Sequence, residues 1–393
     1  MSPLERVRSA IHKARISAKL RRRSQLSSNS QKQPIWKRLP GTVLAKILAQ
    51  CDLQDIYSLM LSCRILREQI YQHEYAISLA YLHHRTQPYR YITETGHELA
   101  PSAGDDLTFI SSLFPPPPPQ YTSDGIRDDL PEYSFGYLVD LTRCWKTCIK
   151  LSYYLTEYVI HHHLQTDPIA QSSWPSSKTE KQFIYSKGVG QLQARLLSPL
   201  AYIIFFLETH ASSTPVPSTY HHSLKIQQSI LQQPPFTDTQ VLLSTHHSMH
   251  LLCSSVRYLM APEIAPASTE NWLGLLLTTS TLERIMEFFV AVAADESAKV
   301  SVAAAGHFHH SPRPSSTWTN RLEFMWQMRR DWEEFLANME EAGEDRAPPT
   351  LSEVWFEAAQ REICQRGASP HACEAVLVCH GSEVVLKCEL CRG

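Results

Sequence analysis

Residues 35–70 read IWKRLPGTVLAKILAQCDLQDIYSLMLSCRILREQI, and this stretch decides how the rest of the chain is interpreted. A Leu-Pro pair opens two short apolar segments, which are separated by a turn that contains aspartates. The pattern predicts two short helices. Because so small a unit buries too little surface to fold well alone, we expect a docking module whose apolar surface is completed by a partner.

The first predicted helix begins at Pro40, since a proline fits the first helical turn without losing a hydrogen bond. Its apolar residues fall on one stripe, as their spacing is helical. They are Val43, Leu44, Ile47 and Leu48.

The second predicted helix is capped by Asp52 and carries Asp55 in its first turn, where the helix dipole favours an acid. Apolar residues then recur three and four apart from Ile56 to Leu66. An ordinary helical hairpin inside a larger helical domain would show the same two segments, so this alternative stays open.

The order of these features resembles the F-box family. The family pattern opens with Leu-Pro, continues to an Ile-Leu pair, passes through a turn with two aspartates and closes with a Val-Cys-Arg-like trio. The matching positions are Leu39-Pro40, Ile47-Leu48, Cys51-Asp52, Asp55-Ile56 and Ser62-Cys63-Arg64.

Three positions depart from the family pattern. Thr42 stands where an acid is common, Cys51 where Leu is usual, and Ser62 where Val is usual. Because each residue here is smaller or less apolar, we expect a modest affinity for the partner.

The resemblance implies a substrate receptor. An F-box at residues 35–85 would bind the Skp adaptor of a cullin–RING ubiquitin ligase, and through it the cullin scaffold. The remaining chain would present an unknown protein substrate for ubiquitin transfer, acting by proximity and without chemistry of its own. The implied adaptor contacts are Leu39, Pro40, Val43, Leu44, Ile47, Leu48, Leu53 and Ile56.

The composition indicates a globular protein. The 393 residues leave room for two or three domains, and 43% of them are apolar while 19% are charged. A net charge of −2 gives no sign of nucleic-acid binding by the whole molecule. The apolar run from Leu196 to Leu207 is too short to span a bilayer, so we expect no transmembrane segment.

Residues 1–34 are expected to form a disordered basic tail. From Met1 to Arg38 there are eleven Lys or Arg residues and one acid. A mitochondrial presequence, a nuclear-import patch on Lys19 to Arg23 and a plain solvated tail all fit this composition. Ten cysteines without a secretory signal predict free thiols in a reducing compartment, which favours the cytoplasm or nucleus.

The rest of the chain predicts a mainly α fold. A Pro-rich linker spans residues 86–134, with a stiff run from Pro115 to Pro119 and one short helix around 107–113. A large helical C-terminal region covers 135–366. Its helices are predicted at 135–165, 188–209, 223–233, 238–260, 271–294, 318–343 and 351–366.

The final residues, 367–393, predict a small β-hairpin that contains cysteines. Its strands lie at 375–378 and 383–387 around a turn. Four thiols could bind a structural zinc ion tetrahedrally, and otherwise they are core side chains. These thiols belong to Cys373, Cys379, Cys388 and Cys391.

No catalytic motif is found, so we expect a non-enzymatic adaptor. A helical scaffold unrelated to ubiquitin is the alternative, and an enzyme with an unrecognised all-α site is a third hypothesis. The clustered histidines, such as His246, His247 and His250, are interpreted as solvent-facing or loop residues. Aromatic residues from Trp318 to Phe356 fit either a core or a hydrophobic substrate groove, and the sequence does not separate the two.

Overall fold

A computed structural model describes much of the chain, and 86% of the interpretable part is helix. The mainly α prediction is therefore confirmed. The basic tail and most of the predicted linker lie outside the described residues. Described are residues 39–85, 91–92, 98–99, 107–117, 133–166, 177–213, 220–261, 263–264, 266–304, 320–341, 349–368, 375–379 and 382–386.

The chain divides into two compact units. Unit one comprises residues 1–85 and 117–138, and unit two comprises residues 86–116 and 139–393. The helices of unit one are α1 (Gly41–Leu48), α2 (Leu53–Ser62), α3 (Arg64–Gln72) and α4 (Glu74–Arg85).

Two local details of unit one differ from the sequence prediction. The second helix was predicted to continue to Leu66, but Cys63 is extended (φ −152°, ψ 128°) and ends α2 at Ser62. Leu66 therefore belongs to α3. Asp52 does precede α2, yet its side chain caps no backbone N–H; instead its carboxylate pairs with Arg85, Oδ1 to Nη2, at 3.0 Å.

The core of unit one forms where α1 packs against α4 and where α3 contacts α2 and α4. Large aliphatic side chains fill it and are almost completely removed from water, which stabilises this small unit chiefly by apolar burial. These side chains are Leu44, Leu48, Ile56, Leu66, Ile70 and Ile77.

Unit two contains the longer helices. The helix α6 begins in unit one, at Phe135, and continues into unit two. The helices are α5 (Thr108–Leu113), α6 (Phe135–Thr166), α7 (Lys178–Ser213), α8 (Tyr220–Leu231), α9 (Thr239–Met260), α10 (Pro266–Ser280), α11 (Glu283–Ala304), α12 (Asn320–Glu341) and α13 (Glu357–Gln365), the last preceded by a π-helical turn, Ser352–Phe356.

Short antiparallel strand pairs accompany these helices. Strand β1 (Tyr91–Ile92) pairs with β2 (Glu98–Leu99). Strand β3 (Ala375–Cys379) pairs with β4 (Ser382–Leu386), with Leu377 opposite Val384. Residues 380–381 between them lie outside the described part, so the predicted terminal hairpin as a folded lobe stays a prediction.

The predicted helix 271–294 is wrong as a single element. The structure contains α10 and α11 instead, because Thr281 adopts a positive φ of 50° between them. The apolar pattern continues through this break, since Leu282 and Ile285 are both buried. In contrast, α7 passes through Pro199 without ending.

Aromatic side chains form the centre of unit two. Trp355 meets Phe206 edge-to-face at 4.7 Å between ring centroids, and Phe236 lies 6.1 Å from the Trp355 ring. All three are fully buried. This cluster attaches the π-helical turn to α7, as edge-to-face pairs add to the energy of burial.

Buried thiols lie nearby, between α6 and α7. Burial and the neighbouring Glu208 carboxylate raise the pKa of Cys144 to about 12. Its thiol donates to Glu208 Oε1 at 3.7 Å. Burial likewise raises the pKa of Cys148 well above its ordinary value. Both thiols are therefore protonated at neutral pH.

By length and hydropathy, among the described residues, α7 alone could cross a membrane. Those criteria are weak evidence, because the core helix of a folded domain meets them as well. Leu200, Ile203 and Phe206 of α7 are fully buried against unit two. The expectation of no transmembrane segment is consistent with this placement.

Gly274 allows a close approach between α10 and the segment before the π-helical turn. A Cβ atom at this position would lie 2.0 Å from the carbonyl oxygen of Pro349. We predict that Gly274→Ala destabilises unit two by about 1–3 kcal/mol, because backbone must shift to admit the methyl group. Chemical denaturation monitored by tryptophan fluorescence measures this.

The matched control is Gly190→Ala in α7, where a Cβ would meet no atom within 4 Å. This variant should be stabilised by about 0.5–1 kcal/mol, since alanine favours a helix over glycine. Equal unfolding midpoints for the two variants would show that the approach at Gly274 is not tight.

Candidate protein-docking face

Four apolar residues on the outer side of α1 and immediately before it form what we call the outer line: Leu39, Pro40, Val43 and Ile47. Val43 and Ile47 are 41% and 42% exposed; Pro40 is exposed and Leu39 is half-buried. Val43 and Ile47 are four apart and therefore share one side of α1, while Leu39 and the N-cap residue Pro40 immediately precede the helix.

The other four predicted adaptor contacts lie inside unit one. Leu44, Leu48, Leu53 and Ile56 are buried in its core. The predicted set is therefore divided between two sides of the module. In this structure a partner could reach the outer line, whereas these four side chains support it from within.

The rotation of α1 about its axis follows from its packing on α4. Leu44 and Leu48 are 1% exposed and fill the core, so Val43 and Ile47 of the outer line face solvent. Gly41 lies beside the imidazole of His73, where a Cβ atom would require that side chain to shift.

Arg85 ties the turn between α1 and α2 to the end of α4. Its guanidinium donates to the carbonyl of Cys51 at 3.3 Å and pairs with Asp52. It also lies 4.4 Å from the Tyr81 ring centroid. Burial raises the pKa of the Tyr81 phenol, although Arg85 acts in the opposite direction. Because Asp52 is largely exposed, this ion pair positions the turn more than it stabilises it.

The three departures from the F-box pattern lie at or near the surface of unit one. Thr42 and Ser62 are exposed, and Cys51 is half-buried. The Ser62 hydroxyl donates to the carbonyl of Leu59 at 2.7 Å, and the Cys51 thiol to the carbonyl of Ile47 at 3.7 Å. Their smaller side chains therefore remove contact area from the surface and not from the core.

The sequence analysis did not single out Leu61, which is 86% exposed on α2. The signal was the consecutive apolar residues Leu59, Met60 and Leu61, since three successive helical positions cannot all face the core. Met60 is the buried one. Leu61 is thus a further apolar side chain, outside the outer line, that unit one presents to solvent.

The structure separates the aromatic residues that the sequence left undecided. Trp355 and Phe324 are buried, whereas Trp326 is 54% exposed. Trp332 stacks on Trp272 with ring planes 8° apart and centroids at 5.9 Å. Trp318 lies outside the described residues. The core interpretation therefore holds for Trp355 and Phe324, whereas Trp326 and Trp332 line a groove.

A groove runs between α10 and α12 within unit two, on both sides of the Trp272–Trp332 stack. One cavity of about 490 Å³ is lined by Ile264, Trp326 and Leu336 among others. A second, of about 270 Å³, adjoins the same tryptophan pair. Such volumes fall in or near the range of small-ligand pockets, about 300–1,000 Å³.

Charged groups at this groove are paired with one another. Arg321 binds Glu263 through both guanidinium nitrogens, and Arg329 Nε donates to Glu333 Oε1 at 2.9 Å. Burial raises the pKa of Glu263, but the Arg321 hydrogen bond and charge outweigh it, so the pKa is lowered. Glu263 is therefore a carboxylate at neutral pH.

The interpretation of the histidines as solvent-facing or loop residues is wrong for His246. It lies on α9, is 1% exposed and has its Nε2 3.1 Å from Nε2 of His250. Both rings pack on Phe356, at 5.6 Å and 4.3 Å between centroids. The spacing of four along a helix could have indicated this pair.

The zinc prediction is not addressed by the structure, because side chains of the terminal cysteines lie outside the described part. Only the backbone of Cys379 is placed, in β3. Within the ranges that are described, no three His, Cys, Asp or Glu side chains converge as a metal site would require.

No protein-family model matches the chain, and no curated protein or solved structure matches it either. The F-box resemblance therefore rests on residues 39–64 alone.

Two neighbouring residues of α1, the buried Leu48 and the exposed Ile47, test which side of this helix faces the core. We predict that Leu48→Ala lowers the free energy of unfolding by about 2–5 kcal/mol, because it leaves a cavity in the core. Ile47→Ala should change it by no more than about 0.5 kcal/mol, as an exposed side chain loses few contacts. Thermal unfolding followed by circular dichroism measures both, and comparable losses would contradict this orientation of α1.

Proposed function

We propose that this chain is the substrate receptor of an SCF-type cullin–RING ubiquitin ligase. Unit one would bind the Skp adaptor, and unit two would recruit a protein substrate. The chain itself would perform no chemistry and would act in the cytoplasm or nucleus. Its contribution is proximity, since it raises the concentration of the substrate near the ubiquitin-conjugating enzyme.

The observation that carries this proposal is the outer line. A helix that only supported its own domain would present polar residues to solvent, whereas α1 is apolar on both sides. Val43 and Ile47 remain exposed beside the exposed Pro40, although Leu44 and Leu48 already fill the core. Covering the outer line would gain about 25 cal/mol for each Å² of apolar area.

The Leu-Pro start supports the same assignment. In the family that the sequence resembles, this pair lies at the adaptor interface. Here Leu39 and Pro40 lie immediately before α1, with Pro40 at its N-cap and exposed. Covering Leu61 as well would enlarge the contact on α2, and among the described residues of unit one this is the most exposed large apolar side chain.

The helical scaffold remains the second candidate, and one observation favours it. Half of the implied adaptor contacts are buried in the core of unit one: Leu44, Leu48, Leu53 and Ile56. A self-contained helical module would bury them in the same way. The two candidates differ in whether the outer line binds the Skp adaptor or a different partner.

Capture by the Skp adaptor distinguishes these candidates. We predict that the wild-type chain co-purifies with co-expressed adaptor and that Ile47→Asp abolishes this capture. An aspartate in the middle of the outer line would have to be buried without a partner, which costs several kcal/mol. Val43→Asp should act in the same way, and affinity purification followed by quantitative blotting measures both.

Thr42→Glu is the matched control. Thr42 is also exposed on α1, but lies away from the outer line, and an acid is common there in the family. This variant should retain or increase capture. If the wild type does not bind the adaptor, or if Ile47→Asp and Thr42→Glu bind equally, the ubiquitin-ligase proposal is refuted and the scaffold alternative gains.

A further inference from the structure

One side of α12 carries five residues that are alternately four and three positions apart. We call them the α12 seam: Leu322, Trp326, Arg329, Glu333 and Leu336. Alternation of four and three is the spacing by which one helix meets another along a coiled-coil seam. From Leu322 to Leu336 the seam extends about 21 Å, or four helical turns.

The described neighbours of α12 leave the seam accessible. The ring of Trp326 is 54% exposed, and the side chains of Arg329 and Glu333 are 59% and 61% exposed. The opposite side of α12 packs on α11, where Phe324 lies 5.6 Å from Phe288 between ring centroids. All five seam residues also line the larger cavity of the groove, so the seam is the α12 wall of that groove.

Four of the five seam residues, those from Trp326 to Leu336, are arranged symmetrically about position 331. Arg329 and Glu333 are equally far from this position and carry opposite charges. Trp326 and Leu336 are also equally far from it, and both are apolar. A strip with this property is complementary to itself when it is turned end for end, which is the condition for a contact with twofold symmetry.

Two copies of α12 laid antiparallel would therefore match at every central position. Arg329 of each copy would face Glu333 of the other, and Trp326 would face Leu336. In a parallel pair, Arg329 would face Arg329 and Glu333 would face Glu333, and like charges repel. The charge pattern thus selects the antiparallel orientation.

The ion pair between Arg329 and Glu333 within one chain leaves hydrogen-bond donors and acceptors for contacts with a second copy. Arg329 donates to Glu333 within one chain through Nε, while a guanidinium has five N–H donors and a carboxylate has two acceptor oxygens. A second copy could extend each pair into a network of four charges. The Arg329 guanidinium also lies 5.7 Å from the Trp326 ring centroid, which positions both groups on the seam.

We propose that the α12 seam is a self-association surface, on which a second copy of this chain docks antiparallel. The seam is a single helix face and much smaller than the roughly 800 Å² per partner of a standard stable interface. The resulting dimer is therefore weak and depends on concentration. It does not require the adaptor proposal for unit one.

Sedimentation velocity of the full chain over a concentration series tests the proposal. The wild type should show a concentration-dependent dimer. Arg329→Glu and Glu333→Arg should each weaken self-association by about tenfold or more, since each places like charges opposite one another twice in the symmetric contact. Circular dichroism should show unchanged helix content in both variants.

An equal mixture of the two variants is the decisive sample. Each chain still lacks its own internal ion pair, but the two glutamates of one chain then face the two arginines of the other. Dimerisation should therefore return in the mixture, which an effect within a single helix could not produce. The matched control is Glu334→Arg, exposed on another side of α12, and it should dimerise as the wild type does.

A wild type that stays monomeric throughout the series overturns the proposal and leaves the seam for a helix of a different protein. Retained self-association of both single variants, or a mixture that stays monomeric, overturns it equally. Val43→Asp in unit one should leave the dimer unchanged, so failure of adaptor binding and failure of self-association are separate results.

Discussion

The packing of α1 on α4 is the constraint on which the surface of unit one depends. Leu44 and Leu48 are 1% exposed in the core, and the alanine that follows each of them is buried as well. If α1 turned by one residue, about 100°, so that Val43 and Ile47 took the places of the two leucines, each leucine would have to fit the space of an alanine. This packing thus determines which apolar residues close the core and which remain for a partner.

A comparable constraint organises unit two. Gly274 brings α10 against the carbonyl of Pro349, and Thr281 ends that helix in a left-handed conformation. The Trp355 cluster attaches the following π-helical turn to α7. With α10 placed in this way, Trp272 reaches Trp332 and the groove beside α12 stays open. Surface features of unit two therefore follow in part from this close backbone approach at Gly274.

Periodicity predicted most helices of the described part, because apolar residues at spacings of three and four mark a buried helix face. Residues 238–260 and 318–343 were predicted within a few positions of α9 and α12. The breaks at Cys63 and Thr281 could not be found in this way, since the apolar pattern continues across both. Periodicity also could not separate Val43 from Leu44, because only the packing of α1 on α4 decides between them.

The buried thiols of α6 have a consequence for how this protein responds to oxidants and alkylating reagents. Cys148 is inaccessible and protonated while unit two is folded, whereas Cys63 is open to solvent. Only the thiolate attacks such reagents. Modification at Cys148 would therefore require unit two to open, so labelling of this residue reports on the opening of unit two, while the exposed Cys63 of unit one can be labelled in the folded state.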